Sequence, residues 1–498
     1  MMTQKDPLTV VLFAAEASPF AKVGGLGDVI GALPKALESF GLKLTIVLPA
    51  YKSILQGGFD LQQCPDVAGF DVSMGSSMEH AEALKTRMDG TAIDVYFIKS
   101  DRYFDRDGIY DDPAFKEGYP DNMERFIFFM KAGLGLISRL GVPVDIAHCH
   151  DSQTALIPGM IRTGFHHHPV FGKTGTLFTI HNLAYQGVYP KEALHYAGID
   201  KKYFYAMSPF EFWNKVNFMK AGILLADKVN TVSQTYAKEI QTSHEFGHGL
   251  EGVLQSRKDD VSGIVNGIDY QAWNPECDPL IPAHFSAGDL SGKKQCREWL
   301  RRHFNLPQPA DRTALIGIVS RLTDQKGFDL IKDSIQELMT LNIQLAVLGT
   351  GQEKYISLFQ NIEAHYPGKV AARFSFDNEL AHKIEAGCDM FLMPSKYEPC
   401  GLNQLYSMRY GTIPIVRATG GLADTVVDDS HENGTGFSFR RYSAPEMMHA
   451  IKRALEAYSD PAQWEALMIR AMNQNWSWST SAQQYFDLYK KIHSLRHK

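Results

Sequence analysis

Cysteine is scarce in this chain: 498 residues hold six, at Cys64, Cys149, Cys277, Cys296, Cys388 and Cys400. No two stand as Cys-x-x-Cys, so neither a dithiol redox motif nor a cysteine zinc site is written here, and the thiols read as reduced ones in a cytosolic protein. Long apolar runs are also missing. None approaches the length of a membrane span. The run 10–15, ending in Ala15-Glu16-Ala17, is too short for a signal peptide and follows Asp6, so it reads as a buried strand. Positive charge is not in excess: 50 Lys and Arg stand against 56 Asp and Glu, a net charge of −6. That argues against a general nucleic-acid partner, although local phosphate sites stay open. Gly-x-Ser-x-Gly and the Walker loop are absent. Gly-Leu-Gly-Asp at 25–28 misses the dinucleotide spacing, so hydride transfer fits poorly. Low-complexity segments and short repeats are absent too.

What is present is a phrase that occurs twice. Residues 24–29 read Gly-Gly-Leu-Gly-Asp-Val, and 420–426 read Gly-Gly-Leu-Ala-Asp-Thr-Val. Each follows an apolar, β-branched run and opens into a helical pattern. Paired glycines let the backbone turn tightly and let a ligand approach its N–H groups, and a helix N-terminus favours negative charge. The chain is too long for one core, and two domains are the expected count. Apolar runs predict strands over 9–16, 42–49, 92–99, 144–150, 175–181 and 228–232, with helices at 121–140 and 216–226. The second half repeats the plan. Strands are expected over 263–265, 315–320, 344–348, 371–374, 390–393 and 413–416, and helices over 293–304, 328–341, 380–386, 401–409 and 444–459. Alternating strand and helix in both halves predicts an α/β chain of two doubly wound domains, whose ligands bind at the carboxyl ends of the strands. The seam falls near 258–270, and a last helix, 480–498, is expected to pack on the first domain.

Several residues at strand ends carry candidate chemistry. Arg321 and Lys326 lie in Ser-Arg-Leu-Thr-Asp-Gln-Lys-Gly. Isolated, they are two surface cations; at a strand end beside glycine loops they read as a diphosphate clamp, Arg as a fork and Lys as a point charge. Lys22, before the first glycine loop, is either an ordinary solvated lysine or a ligand for a phosphate or a carboxylate. Glu398, in Tyr-Glu-Pro-Cys-Gly-Leu, is either a helix-terminus acid or a carboxylate for sugar hydroxyls and developing positive charge. His181 ends a strand and is either structural or a donor to a hydroxyl. The run His148-Cys149-His150-Asp151 lacks a second metal-ligand cluster and reads as a wall contacting sugar hydroxyls. His166–His168 reads as a loop.

In this order, 22–34, 181–187, 265–269, 320–327, 398–402 and 419–426 resemble the bacterial glycogen synthase and plant starch synthase family over nearly the whole chain. The resemblance implies the glycosyltransferase-B fold, two Rossmann-like domains facing across a cleft: 1–260, completed by 480–498, and 261–479 for the nucleotide sugar. It implies retaining transfer of glucose from ADP-glucose, or alternatively UDP-glucose, to the 4-hydroxyl of an α-1,4-glucan. No cofactor, metal, nucleic acid or membrane is implied, and the location is cytoplasmic, or the plastid stroma in a plant. Other readings are an epimerase or phosphorylase on the same fold, or an inactive glucan-binding or priming scaffold. Carried onto this chain, the family pattern makes Asp28, His181, Glu398, Arg321 and Lys326 catalytic. Lys22, Gly25, Asn266, Phe376, Cys400, Gly401, Leu402, Gly420 and Gly421 join Arg321 and Lys326 around the donor, with the Gly25 and Gly421 amides expected to face it. Two departures stand out. Asp151-Ser152-Gln153 replaces Asp-Trp-His, and Phe376 stands where a base-stacking Tyr is common, without the phenol.

Overall fold

The computed structural model describes residues 7–497, apart from 114, 116, 166, 310 and 311. They divide into two compact units. One runs to Gly267 and takes in the chain from Trp478 onward; the other is Ile268–Ser477.

The first unit is built on a ten-stranded sheet. Its centre is Thr9–Phe13, paired in parallel with Lys43–Pro49 on one side and Ile146–His150 on the other. Gly175–Ile180, Lys228–Thr231 and Val261–Gly263 follow on the Ile146–His150 side, and Asp94–Lys99 on the other, all parallel. Ile146–His150 and Gly175–Ile180 are buried at every residue, as parallel strands covered on both faces are. The strand order reverses at Thr9–Phe13. The carboxyl ends there carry Glu16 to Asp28, His150, Asp151 and His181, at the place where such sheets bind ligands.

The sheet also has an antiparallel extension, Ser77–Arg87 with Gly69–Met74 and Gln62–Gln63, which no apolar run announces. Gly69–Met74 alternates exposed and buried residues, the period-two pattern of a sheet with one wet face. The second unit holds six parallel strands, in the order Val370–Arg373, Ile343–Leu348, Ala314–Val319, Met390–Met393, Ile413–Arg417 and Phe437–Phe439. Its order reverses at Ala314–Val319, beside Met390–Met393. The segments that leave those two strands carry Arg321, Lys326 and Glu398.

Some sequence expectations are corrected. The strand expected over 263–265 is Val261–Gly263, and it pairs with Lys228–Thr231, so it completes the first sheet. The units part after Gly267, within the seam expected near 258–270 and later than the boundary at 260, so Asn266 belongs to the first. Val216 lies in a strand, Lys215–Asn217. The helix starts only at Phe218, because the Asn217 side chain accepts the Lys220 N–H as its cap. The helices Glu353–His365 and Pro461–Met472 are present in addition to those expected. Among the described residues no helix is long and apolar enough to cross a membrane.

The last helix, Trp478–Arg496, lies in the first unit with Tyr485, Tyr489 and Ile492 buried. Its phenols close a buried polar chain. Thr179 Oγ1 donates to Asn230 Oδ1 at 2.5 Å, and Asn230 Nδ2 donates to the Tyr485 hydroxyl at 3.1 Å. With its proton so committed, Thr179 accepts from His148 Nε2 at 2.6 Å, which leaves His148 Nδ1 to accept from the Tyr489 hydroxyl at 2.7 Å. His148 is fully buried. It is a core residue tying the last helix to the sheet and not the wall for sugar hydroxyls that its place in the sequence suggested. Tyr489→Phe removes the donor from His148 and is expected to cost about 1–3 kcal/mol, read as a lower urea midpoint at unchanged m-value.

Candidate active site

In the first unit the turn after Thr9–Phe13 is organised by Glu16, which is buried. Its Oε2 accepts the N–H groups of Val23 at 2.6 Å and Gly24 at 2.9 Å, and its Oε1 accepts the Tyr110 hydroxyl at 2.6 Å. The carboxylate thus holds the first glycine loop where it enters the helix Gly25–Glu38. Gly25 is exposed, and its N–H has no acceptor among the described residues. Lys22 Nζ donates to Asp28 Oδ1 at 2.6 Å. Burial pushes the Asp28 carboxyl up, against the pull of that ammonium. Glu16 was missed in the sequence. Its signal was an acid between two alanines at the end of an apolar run.

His181 sits beside the same switch. Its Nε2 is 2.9 Å from His150 Nδ1. Burial holds His181 down to about 3, and His150 well below the usual imidazole range, so both rings are neutral at physiological pH. His150 Nε2 is buried with no partner. A buried N–H without an acceptor is worse than an unused lone pair, so the shared proton belongs to His150 Nδ1. His181 then accepts at Nε2 and carries its own proton on Nδ1, free to donate outward. Asp151 Oδ1 accepts the His181 N–H at 2.7 Å and fixes the backbone there. Asn266 is buried, and its Oδ1 has no partner.

In the second unit Arg321 is exposed and has no ion-pair partner among the described residues. Lys326 Nζ donates to Glu398 Oε2 at 2.6 Å, and Ser395 Oγ to the same oxygen at 2.9 Å. The turn Asp324–Lys326 is docked on the Glu398 segment by Lys396 N–H to the Gln325 carbonyl, 2.8 Å, and by Gln325 Nε2 to the Tyr397 carbonyl, 3.2 Å. Glu398 is buried. Gly420 and Gly421 lie against the same segment. A Cβ on Gly420 would fall 1.9 Å from the Glu398 carbonyl oxygen, and one on Gly421 2.1 Å from that of Cys400. The Gly421 N–H donates to the Glu398 and Pro399 carbonyls at 3.1 and 3.2 Å. That corrects one expectation: this amide braces the Glu398 loop instead of facing a ligand. Cys400 is buried, and Leu402 half-buried. Gly401 has φ 71°, so the helix begins only at Asn403. Phe376, just beyond Val370–Arg373, is 74% exposed.

Among the described residues the histidine runs bring no three ligand atoms together. Among the described residues the set with ligand atoms close enough for an ion is Asp145, His493 and His497, which includes none of His148, His150 and His181. His166 lies outside the described residues. His167 is exposed, and His168 Nε2 is 2.9 Å from Ser138 Oγ.

The family model described as starch synthase catalytic domain matches residues 9–256, and that described as glycosyl transferases group 1 matches 302–466. A glycogen synthase of Geotalea daltonii is 44% identical over 487 residues, 97% of this chain and 99% of the relative. One of Thermotoga petrophila is 43% identical, over 97% of this chain and 99% of its own. This chain belongs to the glycogen and starch synthase family. The solved catalytic domain of starch synthase IV from Arabidopsis thaliana, bound to ADP and acarbose, has a TM-score of 0.90 at 34% identity, covering 98% of this chain and 100% of that one. A sucrose-phosphate synthase from Thermosynechococcus elongatus, at TM-score 0.60 and 16% identity, shares the fold. Ser152 is buried, and Gln153 Oε1 is buried without a partner.

Two outcomes are expected. Asparagine at 150 keeps an N–H donor near the Nδ1 position, whereas glutamine places its amide near Nε2. His150→Asn should preserve the His181 tautomer by nitrogen NMR and retain turnover. His150→Gln should lose both, turnover by about tenfold (~1.4 kcal/mol). Asp151 gives a pH test. Burial pushes its carboxyl up to about 7 from an ordinary 3.8, although the His181 and Asn182 amides favour the ionised form. The folded state therefore binds the extra proton, and stability falls as pH rises from 3.8 to about 7. Asp151→Asn should flatten that part of the thermal stability profile.

Proposed function

We propose that the chain elongates an α-1,4-glucan by transferring glucose from ADP-glucose with retention, releasing ADP. Membership of the family supports the reaction class. The observation that carries the residue assignment is the open Arg321 guanidinium beside the Lys326–Glu398 pair, at the carboxyl ends of Ala314–Val319 and Met390–Met393. The donor diphosphate takes Arg321 as a fork and draws Lys326 away from Glu398. Glu398 stays near the donor sugar, with Ser395 as its remaining partner. Phe376 offers an exposed ring to the base.

As the bond from C1 to the phosphate oxygen breaks, negative charge grows on the leaving diphosphate, where fixed cations stabilise it. Positive charge grows on the sugar, and Glu398 and Asp28 offset it. Neutral His181 donates from Nδ1 to a sugar hydroxyl. The acceptor 4-hydroxyl forms the new bond to C1 on the face the phosphate leaves, and its proton passes to a leaving-phosphate oxygen. A nucleotide-sugar donor fits a cytoplasmic reaction. UDP-glucose is the other donor to test, since Phe376 stacks either base without a phenol to discriminate.

Competition between labelled ADP-glucose and UDP-glucose with glycogen as acceptor tests the donor. Label should enter glucan mainly from ADP-glucose, and no label from either sinks the reading. Lys326→Ala should lower kcat at least a hundredfold, ~2.7 kcal/mol. It should also cost on the order of 1–3 kcal/mol of stability, because Glu398 loses its ion pair. Circular dichroism should show the fold intact. Near-normal kcat at saturating donor removes Lys326 from the mechanism.

A further inference from the structure

The first unit presents large apolar side chains on a rigid hairpin that the donor chemistry leaves unused. Glu211–Phe212 and Lys215–Asn217 pair around a two-residue turn, Trp213-Asn214. Trp213 is 85% exposed, and Met207, on the preceding turn, 88%. Three residues here are in left-handed backbone conformations, Met207 at φ 65°, Trp213 at φ 51° and Asn214 at φ 62°. Such a turn favours Asn-Gly and disfavours a bulky residue at its first position.

The strain is held in place. Glu211 Oε1 accepts the Asn214 N–H at 2.9 Å, and its Oε2 accepts the Met207 N–H at 3.1 Å. One carboxylate therefore clamps both turns with their side chains outward. Strain that the surroundings maintain at an exposed apolar residue points to a ligand.

The hairpin is also continuous with the His181 loop. Val188–Tyr189 pairs with Lys215–Asn217 in the same small sheet. Asn217 Nδ2 donates to Gln186 Oε1 at 2.7 Å, and the Met219 N–H to the Gln186 carbonyl at 3.0 Å. Tyr185, between His181 and this sheet, is 54% exposed. Tyr185 and Trp213 thus present two exposed aromatic side chains on one connected element that leads away from His181.

We propose that the Trp213 hairpin is a stacking platform for the α-1,4-glucan acceptor, holding sugar units away from the reacting end. The assignment rests on the glucan-elongating reading above. A pyranose ring has an apolar C–H face that fits an indole plane and a hydroxyl rim that suits the polar groups of Asn214 and Lys215. The platform supplies affinity for long acceptors and takes no part in the bond changes at C1.

Trp213→Asn tests this, because asparagine accepts the left-handed conformation and the variant folds. Native gels containing glycogen read binding without turnover. The variant's dissociation constant for glycogen should rise about tenfold, its KM for nucleotide-glucose should stay unchanged, and its Tm should rise as the strain is relieved. Unchanged glycogen retention by the variant overturns the platform. So does a fall in native mass by light scattering, which would make the hairpin a contact between copies. Wild type that incorporates glucose while the variant retains glycogen normally refutes the platform alone; wild type that neither incorporates glucose nor binds glycogen refutes the glucan reading itself.

Discussion

The carbonyl oxygen of Glu398 lies where a side chain on residue 420 would have to be, and that exclusion organises the second unit's chemistry. Because Gly420 and Gly421 carry no Cβ, the loop 398–400 packs directly on their backbone, and the Gly421 N–H fastens it. The loop in turn docks the turn Asp324–Lys326, and the two together bring Lys326 and Glu398 within 2.6 Å. A buried carboxylate and a half-buried ammonium are stable together and costly apart. The pair keeps a cation and an anion preorganised until a ligand with stronger negative charge competes for the lysine. Arg321, unpaired and exposed, is the charge already available.

The first unit uses a comparable economy with neutral groups. Glu16 closes the first glycine loop through two backbone N–H groups. His150 sets the proton of His181, while His148, on the other side of Cys149, is wholly occupied by the core. Alternate residues of Ile146–His150 share a face, and the His148 and His150 rings are 3.9 Å apart. The last helix therefore supports the wall that positions His181, since Tyr489 fixes His148 and the His148 ring packs on His150. Asp151 completes the arrangement from the backbone side. Burial keeps the His150 and His181 rings neutral at physiological pH and pushes the Asp151 carboxyl up to about 7.

Much of this was legible in the residues. Continuous apolar runs announced the parallel strands, because strands covered on both faces cannot alternate. Glycine pairs, the Arg321–Lys326 spacing and Glu398 before a proline marked the strand ends. The antiparallel extension was hidden because Gly69–Met74 alternates polar and apolar residues and so forms no continuous apolar run. Glu16 and the role of His150 were hidden because a carboxylate or an imidazole shows its function only through the partner it meets. The histidine run at 148–150 was misread for the same reason: His148 and His150 share a face of one strand, but His148 meets Tyr489 of the last helix and His150 meets His181, and the sequence names neither partner.

The sequence by itself determined the α/β class, the two glycine turns, the strand-end cations and the family to which the chain belongs, because these depend on local spacing and residue type. Tertiary structure alone decided that 261–263 completes the first sheet and that Gly421 braces a loop. It also decided that His148 is core while His181 is reachable, and that Trp213 stands exposed on a clamped turn. Those outcomes follow from pairings between residues tens to hundreds of positions apart. Hydrogen-bond partners and excluded volume are properties of the folded neighbourhood, and no single segment contains them.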